Sequence, residues 1–370
     1  MALQFSRDVQ VILEDPTANY RWEIPVLDGY SFSQAINSSE ITVNEAGFES
    51  RRARLLFNDA LAPVEWSFST YARPQQVTIS GPTTQIRPVE EALWALWAGA
   101  DSFDGTDSSF KNTGISPDVA VVSYNGTTDT TYNLNGSNIS SFAAGWKLFF
   151  QFRPTGGTAQ VYEVNDIVVN SVTMDFDIDG IATLQWSGFG KQVVDRIAVT
   201  KEPTEGFDLT DSASFIRNRL STLNFQRTDA SPDVTYNIIL TGGSINFENN
   251  INYLTPEELG KVNQPIANIT GTRSISGNVT CYLDTGANLS GQMFNDLVSD
   301  TTTVRNTFDM AINVGGTGTP SVSFDMTYAH LEIPVVNVED LLTLDIAFHG
   351  QPQSGNVDNT NEATIIYRAA

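Results

Sequence analysis

The amino-acid sequence predicts an all-β protein made of two tandem β-sandwich or barrel domains with short flanking helices. Three observations carry that prediction. Phe, Tyr and Trp supply 10% of the 370 residues while charged residues supply 17%, below the roughly 25% usual for a soluble chain. Apolar residues recur with a period of two, most plainly in PVEWSFSTYARP (63–74). There Trp66, Phe68, Thr70 and Ala72 alternate with Glu65, Ser67, Ser69 and Tyr71, as in a strand that buries one face and wets the other. Finally, the second half repeats the element order of the first, so a length open to one large domain or two is divided into residues 1–203 and 204–370.

In chain order, Phe5 to Val26 reads as two strands joined at Asp15 to Asn19, where Asp-Pro and Asn supply turn chemistry. A strand follows from Tyr30 to about Val43, then a long loop over 45–62, then the Trp66 strand, ended or interrupted by Pro74 and continued by Val77 to Ser80. At Pro88 the period changes. PVEEALWALWAG puts proline in a first helical turn, Glu90 and Glu91 at its positive end and Gly99 at the C-cap. Leu93, Leu96 and Trp97 share one side, which suits a helix packed across a sheet better than an aromatic ligand box. Residues 101–142 are rich in Gly, Ser, Thr, Asn and Asp with one good strand, DVAVVSY, and read as an extended insertion or projecting hairpin. Strands resume at Trp146 (KLFFQF, QVYEV, NSVTMDFDIDGIATLQWSGFG) and close near Gly190.

The repeat then begins. Leu223 to Leu240 matches the first hairpin in length and turn placement, and TGGSINFENNINYLT from Thr241 falls where DGYSFSQAINSSEIT stood. A loop over Pro256 to Pro265 precedes a strand with Arg273, Ile275, Val279 and Tyr282, in the place of the Trp66 strand. SGQMFNDLVSD supplies a helix, with Ser290 as its N-cap and Met293, Phe294, Leu297 and Val298 as its apolar side. IPVVNVEDLLTLDIAFHG, ending at Gly350, runs alongside VNSVTMDFDIDGIATLQWSGFG, ending at Gly190. Five elements in one order with a helix in the same slot argue for a tandem duplication, with a linker over Lys201 to Ala213.

Charge narrows the function. Twenty Lys and Arg against 43 Asp and Glu give a net charge of -23, which excludes a protein that grips nucleic acid or an anionic membrane by its phosphates. It still suits a wall along which a polyanion slides. The single cysteine, Cys281, rules out an intramolecular disulfide or a Cys metal cluster and reads as a small buried residue. No signal peptide and no apolar run of about 20 residues is found, so a soluble protein made in a reducing cytoplasm is expected. His330 and His349 are the only histidines, and neither a G-x-S-x-G elbow, a metal-spaced His pair nor a phosphate-binding glycine loop is present. No enzymatic activity, cofactor or metal is expected.

Three stretches, GYSFSQAINSSEITVN (29–44), SRRARLLFNDALAPVEWSFSTYARP (50–74) and SFIRNRLSTLNF (214–225), resemble the tail tube proteins of tailed bacteriophages. The resemblance is strongest over 22–74, good over 165–225 and architectural over 235–350. It implies tail-tube-like domains whose inner sheets join into one tube barrel, and long loops that reach the next ring. Two fused domains imply a homotrimeric ring with pseudo-sixfold symmetry, stacked into a tube in the virion that passes double-stranded DNA into the host. The tape measure protein and the terminator and tip proteins are the implied partners, and a long non-contractile tail the implied setting.

Two constellations become candidate sites in that light. Asp175, Asp177, Asp179 and Gly180 open like a calcium-binding EF-hand loop, but Trp186 stands where the bidentate Glu belongs. As a strand the three aspartates share a face, and Asn337 and Glu339 occupy the positions of Asp177 and Asp179 when Gly190 is laid on Gly350. That face either lines the channel, repelling DNA within a Debye length of roughly 8 Å, or is an ordinary solvated surface. Arg51, Arg52 and Arg54 form the one basic cluster, in the long loop, and with Glu257, Glu258 and Lys261 of the second loop are candidates for ring-to-ring contact, against mere exposure. The rival from another class is a β-sandwich recognition module of a phage particle, a fibre, decoration or carbohydrate-binding protein. A tail terminator that stops at one ring is the rival within the superfamily.

Overall fold

The computed structural model of the chain describes residues 8–17, 19–42, 54–78, 84–105, 109–112, 119–120, 122–125, 129–133, 141–152, 158–200, 212–230, 232–299, 306–338, 340–352 and 362–369. The first half contains β1 (Val9–Glu14), β2 (Arg21–Ile24), β3 (Ser31–Thr42), β4 (Arg54–Tyr71), β5 (Pro74–Thr78), β6 (Thr84–Pro88) and α1 (Glu91–Trp97). The insertion holds β7 (Ser102–Asp104), β8 (Ser109–Asn112), β9 (Val119–Ala120), β10 (Val122–Asn125) and β11 (Asp129–Asn133). Then come β12 (Lys147–Phe152), β13 (Gln160–Asn165), β14 (Val168–Asp177), β15 (Thr183–Gly190) and β16 (Gln192–Arg196). The second half contains β17 (Thr222–Arg227), β18 (Val234–Tyr236), β19 (Leu240–Glu248), β20 (Asn252–Leu254), β21 (Ala267–Ile269), β22 (Ser274–Tyr282) and α2 (Ser290–Ser299). It closes with β23 (Phe308–Val314), β24 (Ser321–Leu331), β25 (Val335–Val338), β26 (Leu342–Gly350) and β27 (Thr364–Arg368).

One pairing scheme occurs twice. In the first half β1 pairs with β2 and β12, and β12 with β13; in the second β17 pairs with β18 and β23, and β23 with β24. Likewise the order β3-β4-β15-β14 is matched by β19-β22-β26-β25. Backbone bonds outside the ladders recur at corresponding places. Ala72 N–H donates to Ala182 O at 3.0 Å and Leu283 N–H to Leu342 O at 2.9 Å; Lys191 N–H donates to Asn165 O and Gln351 N–H to Tyr328 O, both at 2.8 Å. The two four-stranded sets are joined edge to edge, since β14 pairs with β19 from Ser171↔Glu248 to Asp177↔Gly242. Eight strands therefore run as one sheet, β3-β4-β15-β14-β19-β22-β26-β25.

The period-two pattern sets the two faces of that sheet. Trp66 and Phe68 of β4, Met174 of β14, Trp186 of β15, Phe247 of β19 and Ile346 of β26 are buried in one shared core. Trp66 sits opposite Gly188, where an added Cβ would lie 2.5 Å from the indole; in the second half Phe348 sits opposite Gly277, with the same 2.5 Å conflict. The large and small partners have changed strands between the halves, so the packing repeats where the residue identities do not.

Helix α1 lies between the halves and is buried on every side. Trp94 packs edge-on against Trp186 of the first half and Phe247 of the second, and its Nε1–H donates to the Tyr367 hydroxyl of β27 at 2.8 Å. That hydroxyl donates to Glu90 Oε1 at 2.7 Å. Pro88 ends β6 instead of opening the helix, which starts at Glu91 after an N-cap, Glu90, that makes no side-chain cap bond. The charged pair expected at a wet helix start is thus buried.

Complete burial pushes the Glu90 carboxyl from near 4.5 up to about 7. The folded chain keeps a proton that the unfolded chain has lost, so stability falls as pH rises from about 4.5 to 7, by about 3 kcal/mol in all. Glu90→Gln should lack this loss. In chemical denaturation at pH 4.5 to 8, the stability of E90Q relative to the parent should rise by about that amount; a constant difference across the range would show that Glu90 does not titrate there.

Other departures from the sequence reading have local causes. Residues 54–62 are strand, not loop: β4 continues past the sheet and pairs with β3 as a two-stranded arm, Ile36↔Leu61 to Thr42↔Arg54. Val77 belongs to a separate hairpin, β5 with β6. The insertion folds back, its hairpin β10–β11 extending the second half's sheet through β27 and β24. Ser290 is the first residue of α2, and its hydroxyl donates to Tyr282 O at 2.7 Å and accepts from Asp284 N–H at 2.8 Å, so it pins the preceding loop to β22. The proposed linker lies outside the described residues over 201–211; Ala213 is exposed, and Arg73 ties the following segment down through Ser214 at 3.3 Å and the face of Phe215.

Candidate assembly interface

The solvent side of the eight-stranded sheet has one sign of charge. Residues 31–34, 64–71, 168–177, 183–190, 240–248, 274–282, 335–338 and 342–350 contain neither Lys nor Arg. Their carboxylates, Glu65, Asp175, Asp177, Glu248 and Asp345, all alternate with buried neighbours and face solvent. The face is otherwise a polar ladder: Ser31 with Ser67 at 2.9 Å, Ser171 with Ser187 at 2.7 Å, Thr173 donating to Asn246 at 2.9 Å and Ser244 to Asn278 at 2.6 Å.

Asp175 and Asp177 are exposed at one end of β14, and Asp179 in the turn beyond, where an open cleft of about 690 Å³ runs along the β14–β19 junction. Asp175 accepts from Gln185 at 3.1 Å and Asp179 lies 3.9 Å from Arg219. Asn337 shares the face, but its counterpart is Asp175, not Asp177. Asp175 pairs with Thr183 and Asn337 with Thr343, because the turn from β25 to β26 is two residues shorter than that from β14 to β15. Glu339 lies outside the described residues. Asp345, not singled out from the sequence, joins this group by accepting from Asn337 at 2.6 Å and from Thr280 at 2.7 Å. Its signal was the alternation in LTLDIAFHG, which puts Asp345 opposite in sense to Leu344 and Ile346.

The sheet ends in two open edges. Among the described residues β3 is paired on one side only, by β4, and β25 only by β26. β25 exposes Val335 by 61% and Val338 by 80%, and carries no charge. Exposed charge is the usual protection of a free edge.

The arm displays apolar side chains on both faces, Leu55, Leu56, Phe57 and Ile36 all being more than half exposed. Arg54 pairs with Glu40 across it at 3.2 Å, while Arg51 and Arg52 lie outside the described residues. The second loop meets the arm's flank: Leu61 N–H donates to Asn263 O at 2.8 Å and Asn263 N–H to Asp59 O at 2.9 Å. Glu257, Glu258 and Lys261 are exposed there, Lys261 pairing with Glu258 at 2.7 Å. The structure thus sets the second loop against the arm at Asp59 and Leu61, apart from the acidic end of β14–β15.

Among the described residues no three His, Cys, Asp or Glu side chains are placed to hold a metal ion, and no helix is long and apolar enough to cross a membrane. Cys281 is buried, and burial, with Asp345 nearby, pushes its thiol up to about 12. His349, counterpart of Phe189, stands opposite His330 and 3.1 Å from Glu332 on the surface. What the chain presents is surface for association: open edges, an apolar arm and a face of one charge.

The family of phage tail tube proteins, as a sequence model, matches residues 70–350. A relative, the tail tube protein pb6 of Escherichia phage T5, is 30% identical over 366 residues, covering 95% of this chain and 73% of the relative. The all-β architecture agrees with both matches, and the chain belongs to the phage tail tube proteins, structural components of the virion that assemble with copies of themselves and are not enzymes.

Proposed function

We propose that three copies close head to tail into a ring, β25 of each pairing with β3 of the next, and that rings stack into a tube whose inner wall is the acidic sheet face. The observation that carries this is the internal junction. β14 and β19 already join two matched four-stranded sets edge to edge, and β25 and β3 are the same two edges left open at the ends of the chain's sheet. Such a heterologous contact closes when the rotation repeats. Residues 1–203 and 204–370 then act as alternating tail-tube-like domains, three of each giving pseudo-sixfold symmetry.

Asp175, Asp177, Asp179 and Glu339, with Asp345, place their charge on the channel side, and Asn337 its amide beside them. Double-stranded DNA is thereby repelled from the wall on its way to the host instead of releasing counterions and binding. The tape measure protein occupies the same channel before DNA, and the terminator and tip proteins meet the tube's ends. The arm, with Arg51, Arg52 and Arg54, and the loop with Glu257, Glu258 and Lys261 make the ring-to-ring contacts. Arg51→Glu with Arg52→Glu should leave rings intact and shorten or abolish tubes in electron micrographs; tubes of ordinary length would remove these arginines from the contact.

The internal register makes the junction testable. Transposing Asp175↔Ser244 places Asn337 opposite Ser31 of the next chain, at a separation that a disulfide spans. Ser31→Cys with Asn337→Cys should, on mild oxidation, give a ladder that stops at three chains, with buried Cys281 not competing. A ladder reaching six chains would overturn the trimer, and no cross-link would overturn the edge junction.

A further inference from the structure

We propose that α2 of each chain docks across the ring junction on the first half of the next chain, where Phe294 and Val298 close over Phe32, Tyr162 and Ile197. The inference rests on the head-to-tail ring proposed above, and its source is the helix that already spans the junction within the chain.

The two helices start from matching anchors. Arg73 and Asp284 follow Ala72 and Leu283, whose N–H groups donate to the corresponding carbonyls of Ala182 and Leu342. Arg73 N–H donates to the Glu90 carboxylate at 3.4 Å, and Asp284 N–H to the Ser290 hydroxyl at 2.8 Å. A neighbour of each anchoring residue, Val89 or Gly291, donates in turn to the carbonyl of Arg73 or Asp284. Glu90 and Ser290 thus hold equivalent places, and about one helical turn beyond them stand Trp94 and Phe294.

From its anchor α1 crosses the internal junction. Trp94 packs on Trp186 of β15, then on Phe247 of β19 and Phe324 of β24, and its Nε1–H reaches the Tyr367 hydroxyl of β27. All four partners are buried. In α2, at the far end of the sheet, Phe294 is only half-buried, and Val298, one turn further on the same side, is 48% exposed.

The surface that receives Trp94 is built a second time in the first half. Lys191 N–H and Gln351 N–H match Asn165 with Tyr328. Because β24 carries one extra residue between Met326 and Ala329, Tyr162 of β13 corresponds to Phe324. Across the next ladder Tyr162 pairs with Asp195 and Phe324 with Ile365. Two residues on, Ile197 therefore stands at the place of Tyr367, yet Tyr367 is fully buried beside α1 and Ile197 is 85% exposed. On β3, Gln34 holds the place of Phe247 in the register that matches Ser31 with Ser244. The ring that packs on Tyr162 is Phe32, two residues earlier, at 5.5 Å, against 5.6 Å between Phe247 and Phe324. Phe32 and Tyr162 are both half-buried. One corner is filled by a helix inside the chain, and its counterpart lies open beside the free edge of β3.

In the ring β25 meets β3 as β14 meets β19, so the helix that follows the matching strand of the preceding half is α2 of the neighbouring chain. Its apolar side and the aromatic corner leave water only when that second chain is present. Each junction is then held by a helix as well as by edge pairing.

The test uses the full chain with p-benzoylphenylalanine in place of Ile197, mixed with an equal amount of isotope-labelled parent chain, assembled and irradiated. Trypsin releases residues 274–305, which hold α2, as one peptide. Mass spectrometry should find the adduct on that peptide, with about half of the adducts carrying the label of the other chain. The S31C/N337C cross-link, made in a parallel sample, reports on the ring itself. A ring closed by that disulfide with no adduct on residues 274–305, or with same-chain adducts only, overturns the helix docking and leaves the ring standing. Absence of both overturns the ring and the docking together. Ile197→Asp, which places a carboxylate in the contact, should also raise the concentration needed for ring formation by about tenfold or more without lowering the monomer's melting temperature. An unchanged concentration dependence overturns the proposal.

Discussion

Replacing Val336 and Val338 by lysine is expected to leave a folded monomer that no longer forms rings. Val336 takes the place of Met174, and Val338 that of Phe176, both of which are buried at the β14–β19 junction within the chain. In the proposed ring Val336 would face Phe32 of the next chain by the same transposition. Each lysine would put an ammonium against apolar surface without a partner, at about 2–3 kcal/mol or more apiece. Together they weaken association by on the order of a thousandfold or more. The monomer is spared because both positions lie on an edge already open to water. Val335→Lys is the control: Val335 lies opposite Asp345 on the polar face, so rings should persist. Sedimentation velocity separates the outcomes, with circular dichroism confirming the fold. Rings from V336K/V338K would show that β25 is not the ring edge.

The sequence exposes those parts of the fold where one face is wet and the other dry. The alternation in PVEWSFSTYARP identified β4 and both of its faces, and NSVTMDFD and LTLDIAFHG did the same for β14 and β26. The arm escaped notice because its strands are exposed on both faces, so RLLFNDALA shows no period at all. Of the insertion's five short strands, β10 and β11 are held by pairing to each other and to β27, and β9 by pairing to β8. β7 and β8 bury one phenylalanine each, Phe103 and Phe110, against Trp22, and only DVAVVSY is legible as a strand. β27 lies beyond the last repeated element, and its burial between β24 and β11 follows from a long-range pairing that no local pattern announces.

The interface was legible in proportion to its local clustering. Three aspartates in five residues are conspicuous, whereas Glu65, Glu248 and Asp345 stand singly in strands and become one acidic face only when the sheet sets them side by side. Asn337 falls two residues from where gapless alignment on Gly190 and Gly350 puts it, because that alignment ignores the shorter turn; a shift of two keeps a strand residue on the same face. Open edges have no residue signature of their own. The absence of charge from VVNV becomes informative only once the structure shows β25 at the end of a sheet.

Arg87→Met is expected to cost about 3–5 kcal/mol of folding stability, which is a large share of what a domain has. Arg87 Nε lies 3.1 Å from Glu91 Oε2, and both side chains are fully buried where β6 passes into α1. Desolvating two charges is offset by their mutual attraction only while both are present. Methionine fills a similar volume but takes the guanidinium away from a carboxylate that stays fully buried, so the helix start must admit water, take up a proton or unfold. Arg87→Met with Glu91→Met removes both charges and should recover most of the loss, because paired apolar residues of similar volume replace a buried ion pair at little net cost. Chemical denaturation of the two single variants and the double variant measures the coupling directly. A loss below about 1 kcal/mol in R87M would show that the pair does not hold the helix. The consequence reaches assembly, because α1 carries Trp94 and Trp97 against Phe247 of the second half. A helix that loosens weakens this packing between the two halves, which β14–β19 pairing also joins, and with it the fixed angle at that junction on which the proposed ring closure depends.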